Sequence, residues 1–245
     1  MTTVKVAACQ LPEVRQDVGQ ALMWMETYLA RVFQRRLGLL SRMLPSGVPL
    51  CDGPSAKDQG VRLKSMTFGA LLTRLSRFRC MFVFGLIEKE NGRLFNSAAV
   101  VHHGELLGCY RKTHLLEGES IFEPGTAYPI FEVRGLQFGI NICYDTNFPE
   151  AAAAVAEQGG RLIVCPANNM MRLEAAERWK PLHNEIRAQR ARETGCWLLS
   201  SDVTGARDNR ISYGPTAVID GSGQIRGQVP LLESGMVVAE IGVAT

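Results

Sequence analysis

Apolar positions along the first part of the chain switch between two periods. Residues 4–8 read as a strand, and over residues 14–37 Val18, Leu22, Met25, Leu29 and Phe33 recur at the spacing of one helix face. A second helix is predicted over residues 61–78, through Leu63, Met66, Leu71, Leu72 and Leu75. It is followed by a strand over 81–87 and a hairpin turn at Asn91-Gly92. Strands over 94–101, 106–110, 130–133 and 138–143 come next, too closely spaced to leave room for helices. The alanine-rich stretch 148–157, stopped by Gly159-Gly160, predicts a helix, and 162–165 the buried strand after it. A long amphipathic helix over 175–194 and strands over 197–201, 216–219, 224–229 and 237–241 complete the chain. Two runs of β-α units flanking a block of hairpins predict two packed sheets with helices outside, in one layered α/β domain spanning residues 1–245.

Composition narrows this picture. With 245 residues, 46% of them hydrophobic, the chain is long enough to bury a core without disulfides or metals. Lys plus Arg (27) barely exceeds Asp plus Glu (24), and the excess is scattered, so nucleic acid is not an expected partner. No apolar run reaches the roughly eighteen residues of a membrane span. The first ten residues read as a strand, not a signal segment, so the expected location is cytoplasmic. The seven cysteines are odd in number and contain no Cys-x-x-Cys pair, which favours reduced thiols.

One of these thiols stands apart by position. Cys143 ends the apolar stretch Phe138-Gly-Ile-Asn-Ile-Cys143, and the next helix begins within a few residues. Ligands of α/β proteins gather at the carboxyl ends of strands, and a thiol on such a turn is expected to be exposed and easily ionised. It reads as a nucleophile or as a packed structural cysteine. Lys112, directly after a predicted strand, is either a solvated loop cation or an ammonium able to support a thiolate and an oxyanion. Glu119 follows in the same loop.

Taken together these pieces resemble the nitrilase, or carbon-nitrogen hydrolase, superfamily. The matching segments are Lys5-Val-Ala-Ala-Cys-Gln10, Tyr110-Arg-Lys112-Thr-His-Leu115, Glu119-x-x-Phe-x-x-Gly125, Cys143-Tyr-Asp145 with Phe148-Pro149-Glu150, Arg190-Ala191-Arg192-Glu193, and Asp220-Gly-Ser-Gly223. The resemblance implies a four-layer αββα sandwich of two mixed sheets that assembles as a homodimer or larger homo-oligomer. It also implies cofactor-free hydrolysis of a small amide, ureido compound or nitrile by a Glu-Lys-Cys triad. By match of motif the nucleophile is Cys143. Lys112 would steady the tetrahedral intermediate, the backbone amide of Tyr144 would complete the oxyanion hole, and Glu119 would orient the site. Thiolate attack would give a thioester, and water activated by a carboxylate base would release the acid. Asn168 and Asn169, after the strand ending at Cys165, read as polar pocket contacts or as an ordinary turn.

One family element is absent. The catalytic glutamate lies in a Phe-Pro-Glu strand end after the first helix, with Gly-Tyr a few residues on, yet this chain has no glutamate between Glu26 and Glu88. Residues 39–50 read Leu-Leu-Ser-Arg-Met-Leu-Pro-Ser-Gly-Val-Pro-Leu instead, after an Arg-rich stretch over 31–42 that ill suits an amphipathic helix and a buried strand. Two explanations compete: a lineage that lost its base, or a segment over about 32–50 read in the wrong frame between two compensating small insertions or deletions. Read one base later, the codons of residues 40–50 permit Phe-Pro-Glu-Cys-Phe-Leu-Gln-Gly-Tyr-Leu, with the cysteine forced by Met43. As printed, the chain lacks its base and is expected to be nearly inert, and neither Asp52 nor Asp58 has a geometric claim to replace it.

The alternative function is a pseudoenzyme that keeps the pocket to bind a ligand or partner. A metal-dependent hydrolase is disfavoured because His102, His103, His114 and His183 show no His-x-His or Glu-x-x-His spacing, so no metal site is expected. A dinucleotide-binding fold is disfavoured because Gly221-x-Gly223 lacks a third glycine and opens no helix.

Overall fold

The computed structural model describes residues 2–14, 19–20, 23–24, 26–28, 39–42 and 60–243, with the backbone alone for 39–42. Its first strand, β1 (Thr2–Pro12), is apolar on both faces because both are covered. Val4, Val6 and Ala8 enter one buried cluster, while Ala7, Cys9 and Leu11 enter another. Around it lies the larger sheet, built from β2 (Leu39–Arg42), β3 (Met81–Glu90), β4 (Arg93–His102) and β5 (Glu105–Arg111) on one side. Beyond the far end of β1 the sheet continues through β11 (Val203–Arg207), β12 (Arg210–Ser212) and β9 (Met171–Arg172). β15 (Gly235–Val243) runs antiparallel along β1. The second sheet has the order β14 (Ile225–Gln228), β13 (Ala217–Ile219), β10 (Trp197–Ser201), β8 (Leu162–Pro166), β7 (Leu136–Ile140), β6 (Phe131–Val133).

The sheets face each other across Val4, Val6, Val83, Val100 and Tyr110 on one side and Leu136, Phe138, Leu162, Val164 and Leu199 on the other. Helix α1 (Met66–Leu75) covers the outer face of the larger sheet, burying Phe68 and Leu75 against Phe82 and Phe84. Truncating Phe68 to alanine would cost about 3–5 kcal/mol. Helices α2 (Pro149–Glu157), α3 (Leu173–Trp179) and α4 (Leu182–Thr194) follow, and α2 and α4 cover the outer face of the second sheet through Ala152, Val155, Ala188 and Ala191. The expected four-layer αββα sandwich of two mixed sheets is therefore the fold. No helix among the described residues is long and apolar enough to cross a membrane.

The structure corrects several boundaries. The helix expected over 61–78 begins only at Met66, because the Ser65 hydroxyl caps it by accepting from the Phe68 N–H at 3.2 Å, and Val61 instead bridges to Glu88. The helix expected over 175–194 is two helices, since Pro181 has no N–H to continue the ladder. The strand expected to end on Cys143 stops at Ile140. Between residues 14 and 37, positions 19–20, 23–24 and 26–28 are helical, and the remainder of that expected helix beyond Val14 lies outside the described residues. Of the segment that departs from the family, only 39–42 is described. It forms β2, parallel to both β1 and β3, while residues 43–59, with Cys51, Asp52 and Asp58, lie outside the described residues.

Candidate active site

Cys143 opens a 3-10 turn (Cys143–Asn147) three residues beyond the end of β7. Its φ of +47° is left-handed, a conformation that costs a residue with a side chain about 1–3 kcal/mol and persists only where the surroundings impose it. The half-buried thiol lies 3.4 Å from Asn169 Oδ1, toward which it donates. Asn169 in turn donates through its side chain to the Asp202 carboxylate and through its backbone N–H to Asp202 Oδ1 at 3.0 Å. Arg187 Nη2 stands 3.7 Å from Asp202 Oδ2, and Asn169, Asp202 and Arg187 are all buried. Burial pushes the Cys143 thiol up to about 12; the Lys112 ammonium pulls it down and Asp202 adds to the rise. The easily ionised thiol expected from the sequence is thus corrected. Lost hydration outweighs one nearby cation, and at neutral pH the sulfur keeps its proton.

Lys112 follows β5 and is only 2% exposed, which rules out the solvated-cation reading. Its Nζ lies 2.5 Å from Oε2 of Glu119, itself 3% exposed. Glu119 also accepts from Asn96 Nδ2 and from the Leu116 N–H, both at 2.9 Å. Burying either charge alone would cost several kcal/mol, so each is held in place by the other. The spacing Glu119-x-x-Phe122-x-x-Gly125 now has a cause. Phe122 anchors the loop against Ile87 and Leu94, and Gly125 donates to the Lys112 carbonyl at 2.8 Å where a Cβ would run into the Arg111 carbonyl.

Asp145 joins the lysine loop to the cysteine turn. Its buried carboxylate accepts from Tyr110 Oη at 2.8 Å, Thr113 Oγ1 at 3.1 Å, and the backbone N–H groups of His114 and Ile142, each at 2.8 Å. The result is one cavity, lined among others by Lys112, Glu119, Cys143 and Asn168. It opens to solvent, and about 480 Å³ of empty space lies within it and its open mouth together. Tyr144 is half-buried next to the thiol, its ring centroid 6.0 Å from Lys112 Nζ. Asn168 lines the cavity, whereas Asn169 turns inward to contact the thiol and Asp202.

Sequence reasoning missed Glu13, Asn96, Arg207 and Arg210, which line the same cavity. Glu13 pairs with Arg207 and accepts from Asn168 Nδ2 at 3.3 Å. Both arginines sit on the β11–β12 hairpin, for which the available signal was Asp208-Asn209, with φ of +51° at Asp208. None of the four histidines lines the cavity. His114 bonds Asp145 and stacks on Phe148, and burial with the nearby Arg187 drives His183 down to about 3. Among the described residues no group of three or more His, Cys, Asp or Glu side chains could hold a metal ion.

A family profile described as carbon-nitrogen hydrolase matches residues 5–245, and the chain belongs to that family. It is 29% identical over 165 residues to an (R)-stereoselective amidase of Pseudomonas sp, a match covering 66% of this chain and 58% of that protein. A probable nitrilase of Schizosaccharomyces pombe is 25% identical over 233 residues, covering 90% of this chain and 82% of the relative. A nitrilase of Pyrococcus abyssi is 32% identical over 161 residues, covering 65% and 58%. For the first and third of these, the chain thus spans less than two thirds of the relative's length. Among solved structures, a carbon-nitrogen hydrolase from Helicobacter pylori G27 superimposes with a TM-score of 0.87 at 19% identity, over 97% of this chain and 88% of that one. An amidase from Nesterenkonia sp. AN1, solved with acrylamide added at its active-site cysteine, superimposes with a TM-score of 0.84 at 23% identity, over 98% and 93%.

Proposed function

We propose that the chain hydrolyses the carbon-nitrogen bond of a small amide, with Cys143 as nucleophile. The observation that carries this reading is the convergence of the Cys143 thiol and the buried Lys112–Glu119 pair on one cavity. Amidase relatives and a neighbour trapped at its cysteine support the choice of an amide. The sulfur attacks the amide carbonyl carbon to form a C–S bond, and Lys112 with the Tyr144 backbone N–H stabilises the oxyanion. The C–N bond then breaks, ammonia departs with the proton taken from the thiol, and water cleaves the thioester to the acid and the free thiol. Glu119 is a positioning residue that fixes the Lys112 ammonium.

Because the resting thiol is protonated, turnover needs a base at the sulfur. Cavity-lining Glu119 and Glu13 are each engaged by a cation, which strengthens the alternative reading of a binding protein without turnover in the chain as printed. Ammonia release from a panel of small amides and nitriles, compared with the Cys143→Ala variant, tests the proposal. Release that the variant abolishes supports it; saturable binding of amides without ammonia release supports the alternative.

A further inference from the structure

One stretch of chain between β8 and β9 forms the wall behind Cys143. Asn168 and Met170 line the cavity that holds the thiol, whereas Asn169 and Met171 line a smaller cavity on the other side, together with Lys180, His183 and Tyr213. The Cys143 thiol donates toward Asn169 Oδ1 at 3.4 Å, so its hydrogen is directed into this wall and away from the cavity.

The Asn169 amide has two ends, and Asp202 decides which one meets the sulfur. The Asp202 carboxylate accepts from the Asn169 side-chain NH2 and, at 3.0 Å, from the Asn169 backbone N–H. A rotated amide would set its oxygen against that carboxylate and its NH2 against the S–H donor, so both contacts would be lost. Asp202, between β10 and β11, is itself fixed. Its Oδ1 accepts from the Val203 N–H at 2.9 Å, and Arg187 Nη2 lies 3.7 Å from its Oδ2. Arg187 on α4 is anchored by donating from Nη1 to the Pro215 carbonyl at 2.7 Å. Asn169, Asp202 and Arg187 are all buried, so solvent does not compete for these bonds.

We infer that Asp202 is a positioning residue for the nucleophile, acting through Asn169: it fixes the amide with Oδ1 on the thiol and so holds the Cys143 proton behind the cavity wall. This rests on the reading of Cys143 as the nucleophile. An oxygen that accepts from the thiol favours its neutral form, and the same oxygen would repel a thiolate. Lys112 after β5, Cys165 on β8 and Arg187 on α4 also act on the sulfur, and all three are kept when Asn169 or Asp202 is replaced.

The test uses the full chain and does not require turnover. Alkylation of Cys143 by iodoacetamide and by the bulkier N-ethylmaleimide is followed by peptide mass spectrometry across pH, in brief pulses. Asn169→Ala is expected to speed both reagents by the same factor, about tenfold at about pH 8, and its rate curve should begin to level by about pH 11, where that of the unaltered protein still climbs. Asp202→Asn should act in the same direction, because the amide is then free to turn and a negative charge is removed. In the Asn169→Ala background, Asp202→Asn should add no more than about threefold, the part of its effect that bypasses the amide. Equal factors for Asp202→Asn in both backgrounds overturn the inference, as does an unchanged rate curve in Asn169→Ala. A gain larger for N-ethylmaleimide than for iodoacetamide reports opened access and overturns it as well. Should Asp202→Asn lose its urea transition because Arg187 is left unpaired, Asn169→Ala decides through the two reagents and its rate curve. Failure of Cys143 to label in any of these proteins is a different result, which removes the nucleophile itself and this inference with it, whereas labelling that the variants leave unaltered strikes only the role of Asn169 and Asp202.

Discussion

Lys112 and Glu119 form a sealed ion pair, 2.5 Å from Nζ to Oε2, seven residues apart on one loop. Removing one partner strands the other charge out of water. Lys112→Met is therefore expected to lower stability by about 3–5 kcal/mol, and the Lys112→Met/Glu119→Leu double variant should recover much of that loss. Urea unfolding midpoints check this. Where turnover is measurable, Lys112→Met should also reduce kcat by about two to three orders of magnitude through loss of the oxyanion contact.

The protonated thiol sets a pH signature. With Cys143 pushed up to about 12, its thiolate fraction should climb about tenfold per pH unit through neutrality and beyond pH 10. The alkylation rate of the Cys143 peptide should follow the same slope. A plateau reached near neutral pH would mean that Lys112 dominates burial after all.

Acid stability should depend on Glu88. Burial raises its carboxyl, but hydrogen bonds from Arg111 and Ser97 and the Arg111 charge outweigh this and hold it below its ordinary value. A carboxylate depressed in the folded state contributes stability that is complete above the unfolded value of 4.5 and is lost as pH falls through the folded value. Glu88→Gln should flatten the decline of the urea midpoint between about pH 5 and pH 3. An unchanged decline would count against this assignment.

Much of the architecture was legible because it rests on local pattern. β1 alternates between two covered faces, and the motif residues outside the site have structural duties. Gln10 donates to the carbonyls of Pro230 and Glu233 at 2.9 and 2.8 Å. Asp220 closes its turn by accepting from the Ser222 and Gln224 N–H groups. Cys143, Lys112 and Glu119 were legible from motif order, and the structure brings them to one cavity. The cations of the β11–β12 hairpin were not, because short strands built from Arg, Ser and Thr carry little periodicity. Nor was the thiol's raised pKa, since burial depends on which elements close over the turn.

The segment lacking the family's glutamate yields its own experiment. We propose that it reflects a shifted reading frame, so sequencing the gene across codons 30 to 52 should reveal two compensating insertions or deletions. Replacing residues 40–49 with the peptide read one base later is expected to raise amide turnover by about three orders of magnitude or more. Unaltered turnover, together with an uninterrupted frame, would favour the binding-protein alternative.

The pairing of β1 with β15, from Thr2 against Val243 to Gln10 against Gly235, joins strands at least 225 residues apart in sequence. Contacts that close so large a loop are slow to form, and disrupting β15 would bare a row of unpaired backbone groups along β1 on which another chain could add.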